Sequence, residues 1–427
     1  GLMKIRPMDT NPGTIVNGLT KLPESIGNLK KLEKICIANS ELAELPAGFA
    51  QMESCTDVEL YNLPNMKNFP TVLAEMPNLI QANLSCNPQW GATSSTYTRH
   101  DGKAGNQADL GLHLLGSNDG KYQTYKTLQM IYMNQCGLSE LTPNISNIKS
   151  LGLLSLSYNN IDKIYPFGSD IIMVQLYLDH NRLTEIPVDA KGEFCGMDDV
   201  ENLSFSHNLL TELPDIFSAK SLYTMATVDF SSNKIHTIEE AWGNDIKPVQ
   251  IYFDNNKLSE FPVDEHGVFC YMEDAETFSV KMNNFTQFPN IFDAESLYAI
   301  VSIDFSYNHI SSFPEDFRGV FVQTLTIANN PELTKYPIEL AKSNSKVMNI
   351  NFRGCNISEI PEGSFDYENA IQLSSFDFSY NDLKELPWEM HAGNLPYLYG
   401  VELSFNKFSQ FPWEPLDSQY LTVFAIR

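Results

Sequence analysis

The chain carries one recurring alternation of apolar and polar positions, which is clearest over Leu151–Ile164, LGLLSLSYNNIDKI. Residues at alternate positions of a strand point to opposite faces. Leu154 and Leu156 are therefore predicted to face a core, while their neighbours face solvent. Asn159 is the polar exception in this stretch, and its amide is expected to cap backbone groups that a turn inside the core leaves unpaired.

Pairs of inward-facing apolar residues, separated by one outward residue, recur along almost the whole chain. Their steps run from 22 to 27 residues, apart from one longer gap after Asn87. A fixed period of this length predicts a solenoid in which each repeat contacts only its neighbours. The sixteen predicted strand cores are Ile35/Ile37, Val58/Leu60, Ala82/Leu84, Ile131/Met133, Leu154/Leu156, Leu176/Leu178, Leu203/Phe205, Val228/Phe230, Ile251/Phe253, Phe278/Val280, Ile303/Phe305, Leu325/Ile327, Ile350/Phe352, Phe376/Phe378, Val401/Leu403 and Phe424/Ile426.

The spacing L-x-x-L-x-L-x-x-N-x-L resembles the leucine-rich repeat, and the resemblance covers nearly the whole chain. Words such as LPESIGNLKKLEKI resemble the LP type of repeat found in bacterial surface proteins and in Ras-signalling repeat proteins. The resemblance implies an α/β repeat fold, a curved horseshoe solenoid of about sixteen repeats. A parallel β-sheet would line its concave face, with turns and short helices on the convex face. For function it implies binding only, because a fold does not fix a function.

The repeats also define the domain organisation. Residues 1–31 are predicted as an N-terminal partial repeat and residues 32–427 as the repeat array, in which a three-repeat unit is duplicated over 168–242 and 243–317. The segment 88–124 is rich in Gly, Ser and Asn, and we predict a loop inserted at the C-terminal edge of the strands, with a degenerate repeat as the alternative. The final LTVFAIR stops within a strand core, so further chain or a partner is expected to cover that edge.

The net charge and the distribution of apolar residues exclude two classes of partner. The formal net charge is −25, and nucleic-acid binding needs Lys and Arg against phosphates, so no nucleic-acid partner is expected. No run of 18 apolar residues occurs, so no membrane insertion is expected within this chain.

Cys136 and Cys355 take the asparagine position of their repeats. Cys195 and Cys270 lie three repeats apart and are predicted not to be bonded to each other.

Outward positions of the strands, with the first residues beyond them, form the candidate binding surface. One tyrosine–carboxylate pair occurs in each half of the duplication, Tyr177 with Asp179 and Tyr252 with Asp254. Exposed tyrosine supplies contact area and a polar tip at low entropic cost, which favours a recognition surface. The alternative interpretation is that these residues are only solvent-exposed positions of a duplicated repeat sequence.

Charged residues continue this surface, because Lys281 is predicted to lie between Asp254 and Asp304 in a ladder over three adjacent repeats. The complete set of predicted binding residues is Tyr132, Tyr158, Tyr177, Asp179, His180, Asp229, Tyr252, Asp254, Lys281 and Asp304.

Signatures of catalysis are absent from the sequence, which has no G-x-S-x-G, no H-E-x-x-H and no phosphate-binding glycine loop. No cofactor and no metal is predicted, since no D-x-D-x-D-G calcium loop occurs either. The sequence predicts a non-enzymatic recognition scaffold that binds a protein or peptide through the concave sheet face, with the 88–124 loop as a further contact. The alternative is a glycan-binding cell-surface protein whose tyrosine rings stack on sugars. The repeat type favours an extracellular location or a bacterial cell surface.

Overall fold

The chain folds into two compact units, Gly1–Leu210 and Thr211–Arg427. The computed structural model describes residues 18–192, 194–196, 200–216, 224–240, 242, 247–263, 267, 269, 275–292, 300–343, 345–365, 372–390, 395–411 and 421–427. The boundary between the units falls inside the first of the two duplicated segments, and the duplication itself stays a prediction.

Seven parallel strands form the main sheet in the described part of the first unit. Their register is that of the predicted cores, since Val58 lies opposite Ile35 on one side and Ala82 on the other. A short separate ladder pairs Gly168–Ile172 with Cys195–Gly196. The seven strands are Lys34–Ala38, Asp57–Tyr61, Gln81–Asn83, Met130–Tyr132, Leu153–Ser155, Gln175–Tyr177 and Asn202–Ser204.

Nine parallel strands form the main sheet in the described part of the second unit. Ile303 lies opposite Phe278 and Leu325, so the inward positions again align. A short ladder joins Glu212–Leu213 to Thr237–Ile238. The nine strands are Thr224–Asp229, Lys247–Tyr252, Thr277–Ser279, Ile300–Asp304, Phe321–Thr326, Lys346–Asn351, Ser375–Asp377, Gly400–Glu402 and Val423–Ala425.

The predicted parallel β-solenoid is confirmed, because the first inward residue of each of the sixteen predicted cores lies in one of these strands. Most inward side chains are completely buried, as Leu154 and Ile303 are. Ile35 and Phe424, in the outermost strands, are only half-buried. Burial of this apolar column stabilises each repeat by about 25 cal/mol per Å² of area removed from water.

Short helices accompany the strands. Proline directly precedes four of the 3-10 helices and opens a fifth, where its fixed φ suits a first turn. The 3-10 helices are Glu24–Asn28, Ala47–Gln51, Thr71–Glu75, Thr124–Lys126, Pro143–Asn147 and Trp388–Met390, and the α-helices are Gln89–Ala92, Gln107–Leu115 and Glu339–Lys342.

Buried asparagines hold successive repeats together, as their position predicted. The Nδ2 of Asn159 donates to the carbonyls of Met133 and Leu156, each at 2.8 Å. Its Oδ1 accepts the N–H groups of Cys136 at 2.9 Å and Leu138 at 3.1 Å. One side chain thus satisfies four backbone groups that the turn would otherwise leave unpaired in the core.

Cysteine fills the same position in two repeats. The thiols of Cys136 and Cys355 donate to the carbonyls of Leu84 and Ile327, each at 3.1 Å. Burial raises the pKa of both thiols to about 12, so they act as neutral hydrogen-bond donors. The prediction that Cys195 and Cys270 are not bonded lies outside the described residues, because Cys270 is not among them.

The segment 88–124 is folded, so the prediction of a loop is wrong. It forms Gln89–Ala92, an antiparallel hairpin of Ser94–Thr98 with Ala104–Asn106, and the helix Gln107–Leu115. The segment adds no strand to the main sheet, because Asn83 pairs directly with Tyr132 across it. The helix is fixed by a capping box, in which Asn106 and Asp109 each accept the other's backbone N–H.

Candidate functional site

Every repeat but the last places one residue with left-handed backbone just beyond the end of its main-sheet strand, and we call these residues the rim. The φ values of the non-glycine members lie between 48° and 61°, a conformation that costs an L-residue roughly 1–2 kcal/mol. The rim consists of Asn39, Asn62, Cys86, Gln135, Tyr158, His180 and His207 in the first unit, and of Ser232, Asn255, Met282, Tyr307, Asn329, Gly354, Tyr380 and Phe405 in the second.

Rim residues remain in the hydrogen-bond ladder, which aligns their side chains from repeat to repeat. The N–H of Tyr158 donates to the carbonyl of Asp179, and that of His180 to the carbonyl of Ser206, both at 2.9 Å. The same bond joins Tyr380 to Ser404 at 2.9 Å. Neighbouring rim side chains are therefore held side by side whatever their chemistry.

Three rim rings of the first unit form a continuous stack. The rings of Tyr158 and His180 are 4.2 Å apart at their centroids with planes 12° from parallel, and those of His180 and His207 are 4.0 Å apart at 20°. Tyr158 remains 55% exposed despite the contact. The predicted residues Tyr158 and His180 are thus brought together, and His207 extends them.

Asp179 lies beside this stack but is occupied by the fold. Its carboxylate accepts hydrogen bonds from the hydroxyls of Ser157 at 3.2 Å, of Ser206 at 2.9 Å and of Ser204, and from the N–H of Ser206 at 3.1 Å. Asp179 thus ties three repeats together, and its role as a ligand contact stays a prediction. Burial, and then the neighbouring His207, lower the pKa of His180.

Tyr132 and Tyr177 stand on the sheet face next to the stack. They occupy the same column of the sheet, with the buried Ser155 in the strand between them. Both side chains are half-buried, and burial raises the pKa of each phenol. The two rings are thus separated on the sheet face of the first unit by one small residue, Ser155.

The charge ladder predicted in the second unit is present. Lys281 Nζ lies 3.4 Å from Asp254 and 3.9 Å from Asp304. Asp254 also accepts the hydroxyl of Ser279 at 2.6 Å and the N–H of Lys281 at 2.9 Å, and burial raises the pKa of Asp304. Asp254 therefore binds groups of the following repeat, whereas Asp304 accepts hydrogen bonds from Ser306 in its own repeat.

Tyr252 and Asp229 are neighbours across two strands of the same unit. Tyr252 is half-buried, and burial followed by the charge of Asp229 raises its pKa. The carboxylate of Asp229 accepts the N–H of Ser231 at 2.8 Å. Asp229 therefore stabilises the turn that follows its strand, and the binding role of Tyr252 stays a prediction.

A second ring stack lies on the rim of the second unit. Tyr380 and Phe405 stack at 4.3 Å, and the guanidinium of Arg353 lies 4.4 Å from the Tyr380 centroid. Phe405 was not among the predicted binding residues. The available signal was a repeated three-residue word, Ser or Asp, then an aromatic or His, then the buried Asn, which occurs at SYN, DHN, SHN and SFN.

The hairpin of segment 88–124 is anchored to the repeats that follow it. Arg99 is 95% buried and binds Asp162 at 2.5 Å and Asp101 at 3.0 Å. The buried carboxylate of Glu140 accepts the Tyr97 hydroxyl at 3.0 Å. These contacts fix the hairpin to the following repeats, while Ser94, Thr96, Thr98, His100 and Lys103 remain exposed to solvent.

The solved structure of a leucine-rich-repeat protein from Leptospira interrogans is similar to this chain with a TM-score of 0.60. The likeness covers 92% of this chain and 89% of that one at 18% identity, and it bears on the fold. Together with the parallel strands and the buried asparagines, it decides the class. This chain is a leucine-rich-repeat protein.

Curated relatives of this leucine-rich-repeat protein match part of its length. Lumican of Rattus norvegicus is 31% identical over 151 residues, which is 35% of this chain and 41% of lumican. Fibromodulin of Bos taurus is 29% identical over 157 residues, 36% of this chain and 38% of fibromodulin. The chain thus spans about two fifths of the length of these relatives, and no family model matches it.

The described residues of the leucine-rich-repeat protein contain no cluster of three or more His, Cys, Asp or Glu side chains arranged to hold a metal ion. Among the same residues, none of the helices has the length and hydropathy needed to cross a bilayer.

Proposed function

We propose that this protein is a non-enzymatic recognition scaffold that binds an extended peptide or protein segment on the first unit. The ligand would lie along the sheet face at Tyr132 and Tyr177 and contact the rim at Tyr158. The observation that supports this most strongly is the ring stack of Tyr158, His180 and His207, built on left-handed backbone and left exposed to solvent.

The fold itself does not require rings at these positions. Gln135 and Asn62 occupy the equivalent rim position in earlier repeats of the same unit with the same backbone conformation. Asparagine tolerates positive φ better than tyrosine does. Keeping an aromatic ring there thus carries a conformational cost without a core to fill, which is typical of residues retained for recognition.

The spacing of the stack suits an extended chain. Ring-to-ring steps of 4.2 and 4.0 Å are close to the roughly 3.3–3.6 Å that one residue of an extended peptide covers. Rigid rings bury contact area with few rotatable bonds to immobilise, so they are efficient anchors for such a ligand. Three to four peptide residues would cover the stack and the adjacent tyrosines.

The test uses peptides selected from a random heptapeptide phage library on the immobilised protein and then synthesised. We expect Tyr158→Ala and Tyr177→Ala each to weaken binding about thirtyfold, equivalent to about 2 kcal/mol, as interface anchors do. Tyr307→Ala is the matched control, because Tyr307 is a rim tyrosine of the second unit with similar exposure, 53%. Equal affinities for wild type and both first-unit variants would reject this site.

A glycan is the alternative ligand, and a glycan array tests it if the peptide library yields no binder. A glycan ligand stacked on the rings would be found on a glycan array in place of a peptide, and its affinity would change little with salt. A peptide contact that includes charges would weaken as salt increases. Either ligand is consistent with an extracellular or cell-surface location, which we propose for this protein.

A further inference from the structure

His180 has both of its ring faces covered. Tyr158 covers one face at 4.2 Å and His207 covers the other at 4.0 Å, so only the ring edge of His180 can meet a ligand. The edges of three stacked rings therefore form a row of one hydroxyl and two imidazole groups. Such a row presents hydrogen-bonding atoms at about the spacing of neighbouring ring planes.

Protonation would give this row an unbalanced positive charge. The titratable groups that face His180 are Tyr158 in the preceding repeat, His207 in the following one and Asp179 in its own. Asp179 is the one carboxylate among them, and it already accepts hydrogen bonds from three serines. Two imidazolium rings 4.0 Å apart repel strongly, so a second anion is needed to stabilise the doubly charged stack.

We propose that the Tyr158–His180–His207 stack is an acid-activated site for a carboxylate-bearing ligand, namely the Glu or Asp side chains of an acidic peptide. The identity of the ligand as a peptide rests on the proposed function. The expected binding of an anion depends only on the ring stack. Below neutral pH each imidazolium donates an N–H to a ligand carboxylate in a charge-assisted hydrogen bond. Above neutral pH the neutral rings lose that charge, and the net charge of −25 repels the ligand.

The test is a titration of the full chain with hexaglutamate in 0.15 M salt, a concentration that screens the distant charges of the chain. We expect the affinity to rise at least tenfold between pH 7.5 and pH 5.5, a range in which the glutamates of the probe stay ionised. In NMR spectra of histidine-labelled protein, the midpoint of His180, whose pKa burial lowers in the free protein, should move to higher pH when the probe is added, because the bound anion favours the protonated ring.

Variants separate this site from general charge effects. His180→Gln and His207→Gln should each remove most of the pH dependence while leaving the circular dichroism spectrum unchanged. His309→Gln is the matched control, since His309 is an exposed histidine of the second unit paired with Glu332 at 3.1 Å. Hexaglutamine, which has the same length and no charge, should bind equally weakly at both pH values.

Pairs of outcomes distinguish this proposal from the proposed function. Equal hexaglutamate affinity at both pH values, or an unchanged pH dependence in His180→Gln, overturns the acid-activated site. Library peptides that bind through Tyr158 and Tyr177 would then still support the recognition scaffold. If hexaglutamate binds with the expected pH dependence but no library peptide loses affinity in Tyr177→Ala, the anion site stands and the proposed peptide path along the sheet face fails.

Discussion

The two ring stacks of this protein share a backbone and differ in chemistry. Tyr158, His180 and His207 in the first unit, and Tyr380 with Phe405 in the second, all have left-handed φ values and ring separations of 4.0 to 4.3 Å. The first stack contains two imidazole rings, which can gain a positive charge by protonation. The second contains none and instead borders a permanent cation, Arg353.

This difference shows which properties each repeat fixes. The ladder bond of the rim N–H and the buried asparagine beneath it set where the side chain stands, and they are the same in both stacks. The identity of the ring is free to vary. A repeat protein of this kind can therefore place a pH-sensitive surface and a pH-insensitive one on equivalent scaffolds.

The largest effect is expected from the asparagine beneath each stack. Asn181→Ala and Asn381→Ala should each lower the free energy of unfolding by about 2–4 kcal/mol, because buried backbone groups lose their partners. Asn381, for example, donates to Phe352 and Phe378 and accepts from Ile357. Urea unfolding of the two variants measures the loss, and similar values would show that both stacks rest on the same support.

The matched controls are Asn181→Cys and Asn381→Cys. Cysteine already serves at this position in two natural repeats, as Cys136 and Cys355, so it should recover part of the loss. A cysteine variant as unstable as the alanine variant would contradict the role that we assign to this donor.

A smaller effect is expected from backbone conformation. Glycine has no penalty at positive φ, so His180→Gly and Tyr380→Gly should each be more stable than the corresponding alanine variant by about 0.5–1 kcal/mol. Tyr177, in the extended strand beside the first stack, should show the opposite order. Thermal unfolding of the three glycine–alanine pairs measures these differences. A glycine variant that is more stable than the alanine variant at Tyr177 as well would show that left-handed backbone is not the cause.

The smallest effect, and the one that separates the stacks, is pH dependence. The pKa of His180 is lowered on folding, so the unfolded chain binds more protons as pH falls below about 6.5, and stability falls with it. The buried His113, whose pKa is also lowered, acts in the same direction. Hydrogen exchange, corrected for its intrinsic pH dependence, should show weakened protection around Tyr177 at pH 5.5 but not around Phe378.

His180→Gln isolates the contribution of the stack in that measurement. The variant should keep the part of the pH dependence that comes from His113 and lose the rest. Wild-type pH dependence in the variant would mean that the stack does not sense protons in the folded protein.

The fold was predictable because each repeat states the same local rule. Alternating residues such as Leu154 and Leu156 define which side is buried, and a fixed period defines which strands pair. The structure of segment 88–124 could not be predicted in this way, because its helix contains Gly111 within a short apolar run. Gly111 is required there, as a Cβ would lie 2.2 Å from the Phe69 ring, a long-range contact that a repeat pattern cannot reveal.

The site was only partly predictable. Outward tyrosines such as Tyr132 and Tyr177 follow from the strand alternation, and the structure places them as expected. The serines that donate hydrogen bonds to Asp179 and Asp254 belong to neighbouring repeats, so the sequence alone does not show that these carboxylates also bind the fold. The left-handed rim was missed, since residues such as Tyr158 and Phe405 have no intrinsic preference for positive φ.

The segment 88–124 also changes how the first unit would respond to mechanical load. An array with nearest-neighbour contacts yields one repeat at a time when pulled from an end. Here Gln107 binds the backbone of Phe69 at 3.1 Å while Arg99 binds Asp162 at 2.5 Å, so one segment ties together four successive repeats. Under tension we expect these four repeats to unfold together, whereas repeats that contact only their neighbours unfold one at a time.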